Sequence, residues 1–239
     1  MDGKTIFFTH IPKTAGTSMH EAVFAPNIPA SERRSGVPLR DLLTESSSLR
    51  YVRGHMPYGY HRFMPVVAEA LYFVVLRNPI ERAISHYYNI LHPRGNKTVP
   101  DHPEFETARS HGLVEFYEIP RFQNLQTRMV AGIAVHKFGE RISLNGEVRG
   151  TVALSVAKRN LREVYDAAGF TEAFVDTARC FASRLGFTYE PHERNEKAVP
   201  NRPTADDLSA ADRAALRRRN RLDVELYDYA RTLFPKLAR

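Results

Sequence analysis

The order of apolar and polar residues along this chain switches repeatedly between a strand-like and a helix-like period. Thr5 to Thr9 is a short apolar, β-rich run, which reads as a buried strand. Gly16 and Thr17 then open a helix through about Phe24. Leu49 to His55 reads as a second strand ending at a glycine, and Ala70 to Arg77 as a third. That third run holds an unbroken apolar stretch, Tyr72 to Leu76, so it belongs in the middle of a sheet covered on both faces. Pro79 sits where a first helical residue tolerates the missing N–H, and Ile80, Ile84, Tyr87, Tyr88 and Leu91 recur at helical spacing behind it. That spacing turns Ser85 away from the apolar stripe, onto the side that carries Arg82.

The segment Ala25 to Ser48 is rich in Pro, Ser and charge, with a short helix expected around Leu39 to Leu43. His92 to Pro103 is dense in chain breakers and reads as a loop. Helical segments are expected around Phe105 to Ser110, Val114 to Tyr117, Phe122 to Val130 and Val152 to Tyr165. A short strand, Ala168 to Phe170, precedes a helix capped by Thr171 and running to Leu185. After a long polar loop, Tyr189 to Pro203, the chain ends in helices, the last with Leu222, Leu226, Tyr229, Ala230 and Leu233 on one face. Strands alternating with helices predict an α/β fold with a central, mainly parallel sheet and right-handed crossovers. No linker or repeat divides the chain, so residues 1–239 are read as one domain.

Composition narrows the setting. Lys plus Arg number 34 against 27 Asp plus Glu, a net charge of +7, which favours anionic ligands. The densest basic run, Arg217 to Arg221, reads as a solvated helix face. Without a zinc finger or an aromatic RNP motif, nucleic acid is not the expected partner. No run of eighteen apolar residues suggests a membrane span, and the apolar start lacks a signal-peptide cleavage site. The single cysteine, Cys180, reads as a core or half-buried thiol and fits a reducing, cytoplasmic setting. The histidines show no recognisable metal spacing, and no metal is expected.

The chemistry concentrates in two stretches. The first, "FFTHIPKTAGTS" (Phe7 to Ser18), is a strand running into a phosphate-binding loop. A Walker loop places its lysine directly after the second glycine. Here Gly16 is followed by Thr17 and Ser18, the lysine is Lys13, and Ile11 stands at the first glycine position. The physics of anion binding survives this departure. Ala15 and Gly16 let a phosphate approach the backbone, and the N–H groups from Thr14 to Ser18 lie at a helix mouth. Thr17 and Ser18 add hydroxyls, and Lys13 adds a full charge. The second stretch, Val74 to Tyr88, puts Arg77 at the carboxyl end of the central strand, where open parallel sheets bind ligands, with Ser85 two turns into the next helix. Arg77 is suited to grip a second phosphate in a bidentate manner, with Ser85 donating to it. Two readings compete: a donor nucleotide with two phosphate ends, or a P-loop nucleotide kinase or NTPase with a degenerate Walker loop. The second needs a metal-holding acid after an apolar strand. The strand Leu71 to Leu76 ends instead in Arg77.

Together "HIPKTAGTS" and "LRNPIERAISHYY" resemble the two phosphate motifs of sulfotransferases that use 3′-phosphoadenosine 5′-phosphosulfate (PAPS), most closely the branch of the heparan sulfate and uronyl 2-O-sulfotransferases and their bacterial relatives. "NLQTRMVAG" (Asn124 to Gly132) and "LDVELYDYA" (Leu222 to Ala230) also resemble bacterial members. The resemblance implies a P-loop-like three-layer fold and transfer of a sulfuryl group from PAPS to a hydroxyl acceptor, a carbohydrate above all. It implies that Lys13 and the Thr14–Ser18 loop hold the 5′-phosphosulfate and that Arg77 and Ser85 hold the 3′-phosphate. It likens the polar loop Arg194 to Asn201 to a cofactor-covering loop.

Such transfer is helped by a base for the acceptor and by positive charge on the leaving phosphate. Lys13 suits the second role. His55, at a strand end after Gly54, suits the first, because its ordinary pKa lies near neutrality. The related 2-O-sulfotransferases carry His-Gly-His here, and the first histidine is replaced by Arg53. Glu21, Glu45 and Glu81 are rival bases. Arg53, Arg62, Arg121 and Arg128 are candidates for an anionic acceptor, and Asn124, Gln126 and Arg128 for hydroxyls.

Overall fold

Why the apolar runs become strands is visible in where their alternate residues go. In the computed structural model, which describes residues 3–36, 41, 44, 49–64, 67, 69–92, 98, 100–133, 144, 147–191 and 202–237, five strands make one sheet. They are β1 (Lys4–Thr9), β2 (Arg33–Ser35), β3 (Tyr51–Gly54), β4 (Glu69–Leu76) and β5 (Tyr165–Phe170). Their order is β2-β3-β1-β4-β5, and every neighbouring pair is parallel. Phe7 of β1 and Tyr72, Val74 and Leu76 of β4 face one apolar cluster, whereas Ile6, Phe8, Phe73 and Val75 face another. Both faces are therefore covered, which is why β1 and β4 read as continuous apolar runs rather than as alternating ones.

Helices supply the two outer layers. On one face lies α1 (Gly16–Met19), continued without a break by a π-helical turn (His20–Phe24) and a last turn (Ala25–Asn27). Among the described residues the other α-helices of four or more residues are α2 (Pro79–Leu91), α3 (Phe105–Arg109), α4 (Leu113–Phe116), α5 (Leu125–Ala131), α6 (Glu147–Glu163), α7 (Phe174–Leu185), α8 (Ala210–Arg219) and α9 (Arg221–Leu233). Residues of α1 and α7 pack on the Ile6–Phe8 face, and residues of α5, α6 and α9 on the Phe7–Tyr72 face. A third cluster, which includes no strand residue, joins α2 to α3, α4 and α8. The chain leaves β1 toward β2 and leaves β4 toward β5, so these adjacent strands diverge and open a crevice at their carboxyl ends. This is the expected three-layer α/β arrangement around a parallel sheet.

Several local expectations change. Thr171 does not cap α7. Its N–H and Oγ1 both donate to the Leu76 C=O, at 2.8 and 3.2 Å, which ties the ends of β4 and β5 together. Helix α2 is buried beyond its apolar stripe: Arg82 is fully buried and Ser85 is 6% exposed, because α2 is wrapped by other helices rather than lying on the surface. In α9 the deeply buried tyrosine is Tyr227, and Tyr229 is only half-buried. Helix α6 begins five residues before Val152. The helix expected over 39–43 lies largely outside the described residues, as does most of the loop 189–203. Arg217, Arg218, Arg219 and Arg221 are solvent-exposed, as a charged helix face requires.

Candidate active site

The loop after β1 is wound tightly. Lys13 and Ala15 both adopt positive φ, 70° and 59°, a conformation that L-residues with a Cβ avoid. Strain of this kind persists only where surrounding structure fixes it. Ile11 is fully buried beneath the loop, and Thr14 Oγ1 donates to the Ile11 C=O at 3.0 Å. Left-handed residues on either side of Thr14 turn the backbone sharply, and turns of this kind can gather successive N–H groups around an anion. Within α1 the Met19 N–H is bonded back to the Ala15 C=O at 2.9 Å, and the amides ahead of it lie beyond the helical ladder. Gly16 is there for a close approach. A Cβ on it would stand 2.1 Å from Cδ2 of His10.

The second motif meets this loop. Arg77, the first residue past β4, donates from Nη1 to the Lys13 C=O at 3.2 Å. The following helix begins under Asn78, whose Oδ1 accepts from the N–H groups of Ile80 and Glu81, and Pro79 occupies the first turn. Lys13 Nζ donates to Asn89 Oδ1 at 2.9 Å, and Asn89 lies one helical turn beyond Ser85 on α2. Lys13 thus joins Arg77 and Asn89, and Ser85 lies one helical turn before Asn89 on α2. Among the described residues the Ser85 hydroxyl has no hydrogen-bond partner. Arg77 also approaches Glu81, Nη2 to Oε2 at 3.5 Å, and the same carboxylate oxygen accepts from Arg202 at 3.4 Å. The other Glu81 oxygen accepts from the Ala205 N–H at 2.6 Å. Burial, then Arg202, push the Arg77 pKa down, and Glu81 opposes them; the guanidinium stays charged.

Three histidines lie on the elements around this loop. His55 follows β3 and is exposed. Its Nδ1 lies 2.7 Å from the His10 C=O, and the two rings lie 4.8 Å apart. A carbonyl only accepts, so Nδ1 carries a hydrogen, and in the neutral form of the ring Nε2 is then the basic nitrogen. His86, on α2, shares a hydrogen bond with the Tyr117 hydroxyl at 3.2 Å. Burial, with the charges of Arg82, His102, Lys13 and His55, holds its pKa well below the usual histidine range, so it stays neutral. His20, in the π-helical turn, is pushed down to about 4 by burial and by Arg53 and Arg33. Of the rival bases, Glu81 is engaged as described, and Glu45 lies outside the described residues. Among the described residues no three His, Cys, Asp or Glu gather into a metal site.

The residues expected to meet an acceptor divide. Arg53 is half-exposed and donates to the Gly16 C=O at 3.4 Å, beside the loop and two residues from His55. Arg62 is exposed over the Tyr58 ring. Arg121 is paired with Glu104 at 2.7 Å, away from this group in sequence and partners. Asn124 and Arg128 do not meet the expectation of contact with an acceptor, since they are 3% and 2% exposed. Asn124 Oδ1 accepts from the Leu222 N–H at 3.0 Å, and Arg128 Nε donates to the Gln123 C=O at 3.3 Å. The polar spacing of this segment serves helix-to-helix capping instead. Two residues of the crevice, Asn89 and Glu81, were not assigned to the donor motifs from sequence. Their spacing of four from Ser85 and Arg77 was the available signal.

A sequence profile of the Sulfotransferase family matches residues 2–230, so the chain belongs to the sulfotransferase family. No curated protein sequence matches it. Among solved structures, the mouse sulfotransferase SULT7A1 complexed with PAP matches with a TM-score of 0.45 and 13% identity. The match covers 90% of this chain and 63% of that one, so the chain spans less than two thirds of that protein.

Proposed function

We propose that this member of the sulfotransferase family transfers a sulfuryl group from PAPS to a sugar hydroxyl. The observation that carries the proposal is the 3.2 Å hydrogen bond from Arg77 to the Lys13 carbonyl. It joins a loop suited to one anion to an arginine followed by a serine, suited to a second, and a donor with both a 5′- and a 3′-phosphate carries two such anions. The donor set fits: backbone amides, one ammonium, one guanidinium and a hydroxyl.

In this reading Lys13 and the backbone of Thr14, Ala15, Gly16, Thr17 and Ser18 hold the phosphosulfate end, and Arg77 and Ser85 hold the 3′-phosphate. When bound, PAPS supplies an activated sulfuryl group on a phosphate leaving group. His55, in its neutral form, removes the acceptor's proton with Nε2, since Nδ1 carries the hydrogen bonded to the His10 carbonyl. Lys13, anchored to Asn89, sets positive charge where the leaving phosphate gathers negative charge. Arg53 sits between loop and base and orients an acidic acceptor. The resemblance to the 2-O branch and the exposed His55–Arg53 edge support a carbohydrate acceptor. The lone Cys180 supports a reducing, cytoplasmic setting.

The test is transfer of labelled sulfate from PAPS to a panel of acidic and neutral oligosaccharides. The wild-type protein labels at least one sugar. Lys13→Ala and His55→Ala lose at least a hundredfold in rate while staying folded. Full activity in either variant removes the role assigned to that residue, and labelling of non-sugar hydroxyls alone removes the carbohydrate acceptor.

A further inference from the structure

Arg77 leaves the sheet one residue too late to be paired by it. Strand β4 ends at Leu76, and the Leu76 carbonyl is taken by Thr171. The next N–H and C=O, those of Arg77, need partners in a half-buried place. Gln126 supplies both. Its Oε1 accepts from the Arg77 N–H at 3.0 Å, and its Nε2 donates to the Arg77 C=O at 2.9 Å. A single side-chain amide thereby does what a neighbouring strand does, and it fixes the backbone from which the Arg77 guanidinium reaches the Lys13 loop.

Gln126 is itself held without slack. It is 1% exposed and lies in the first turn of α5. Asp223, fully buried in the first turn of α9, accepts from the N–H of Gln126 at 3.1 Å and from the N–H and Oγ1 of Thr127 at 2.7 and 2.8 Å. In return Asn124, at the start of α5, accepts from the N–H groups of Leu222 and Asp223 in α9. The Asn124 N–H is bonded to Asn220 Oδ1 at 3.2 Å. Each helix start caps the other, so two segments nearly a hundred residues apart form one buried bracket.

We propose that Gln126 is a positioning residue for Arg77, and that the Asn124–Asp223 bracket exists to hold that amide in place. The proposal rests on the reading of Arg77 as the 3′-phosphate ligand. Gln126 touches no substrate. It acts by keeping Arg77 aimed at the crevice, and its loss is felt by ligands that carry a 3′-phosphate.

The experiment uses the full chain with Gln126→Met, which keeps the shape and removes both hydrogen bonds, and Gln126→Glu, which keeps only the acceptor. Amide hydrogen exchange at Arg77 is read first, without ligand. Exchange at least tenfold faster in Gln126→Met, with the α5 and α9 amides unchanged, is the expected result. Titration then compares 3′-phosphoadenosine 5′-phosphate (PAP) with adenosine 5′-monophosphate, which lacks the 3′-phosphate. Gln126→Met weakens PAP about tenfold and the monophosphate less than twofold, and Gln126→Glu falls between. Arg77→Ala/Gln126→Met binds PAP no more weakly than Arg77→Ala alone. Unchanged Arg77 exchange, equal losses for the two nucleotides, or multiplying losses in the double variant would each overturn the proposal. Should Gln126→Met not fold, Gln126→Glu is judged by the same readouts. Should the wild type bind no PAP, the donor reading fails, and the exchange result still decides whether Gln126 fixes Arg77.

Discussion

Gly16 and Gly169 each stand too close to a neighbouring side chain to admit a Cβ without a shift, and replacing each by alanine separates the site from the scaffold. At Gly169, in β5, a Cβ would lie 2.0 Å from Thr177 Cγ2. Carbon atoms need about 3.5 Å, so roughly 1.5 Å must be found. Thr177 cannot give it cheaply. It is fully buried, and its hydroxyl accepts from the Phe170 N–H at 2.9 Å and donates to the Phe170 C=O at 3.1 Å. Overpacking costs about 1–3 kcal/mol, and straining those bonds adds about 1 kcal/mol, so Gly169→Ala loses about 2–4 kcal/mol. For a chain of this size that is a fall in Tm of about 5–15 °C.

At Gly16 the clash is with the ring of His10, 2.1 Å from Cδ2 and 2.5 Å from Nε2. That ring is only half-buried and can swing aside, so the stability cost is about 1–2 kcal/mol. What moves, however, is the wall between the phosphate loop and His55. Gly16→Ala therefore loses at least tenfold in PAP affinity for a small change in Tm, and Gly169→Ala loses Tm with PAP affinity within twofold. Calorimetric titration and thermal unfolding of both variants give the comparison. If Gly16→Ala binds PAP like the wild type, the close approach of His10 serves packing alone and the loop geometry argued above is wrong.

Other consequences can be checked singly. Glu81 holds Arg77 and Arg202 by one carboxylate oxygen, and a bound phosphate must compete with it; Glu81→Gln tightens PAP binding about three- to tenfold, whereas weaker binding would make Glu81 a support of the site. Ala15 carries a left-handed backbone at φ 59°, so Ala15→Gly relieves about 1 kcal/mol of strain, offset in part by the freer unfolded chain, and Tm rises by 0–3 °C, roughly. His20 has its pKa depressed to about 4, so the unfolded chain binds the extra proton below pH 6.5, and stability rises with pH between about 4 and 6.5. Discounted for partial exposure, the limb is worth about 1–2 kcal/mol, and His20→Phe, which keeps the stacking on Tyr51, flattens it in urea titrations across that range.

The two loops of the candidate site were legible in sequence because each is local. A strand, a small-residue turn and a helix start follow one another within Phe7–Ser18, and the same grammar recurs across Val74–Tyr88. Parallel pairing of β1 with β4 then brings the two loops together without further instruction. The polar helix after Gln123 was misread for the opposite reason. Asn124, Gln126 and Arg128 have the spacing of a hydrophilic face, and nothing nearby in the chain announces Asn220, Leu222 and Asp223 as their partners. Reciprocal capping across 96 to 98 residues has no periodic signature. The role expected of Thr171 failed similarly, since its bond to Leu76 is a property of two parallel strands and not of the helix beside it.

Which nucleotide the crevice holds decides between a PAPS-dependent transferase and an ATP-binding protein. Titrating the wild-type chain and Arg77→Ala with PAP, and with ATP in the presence and absence of Mg²⁺, is the deciding measurement. PAP binding tighter than ATP, indifferent to Mg²⁺ and weakened at least tenfold by Arg77→Ala, is the result required. Binding of ATP in preference to PAP, strengthened by Mg²⁺ and untouched by the loss of Arg77, would contradict it.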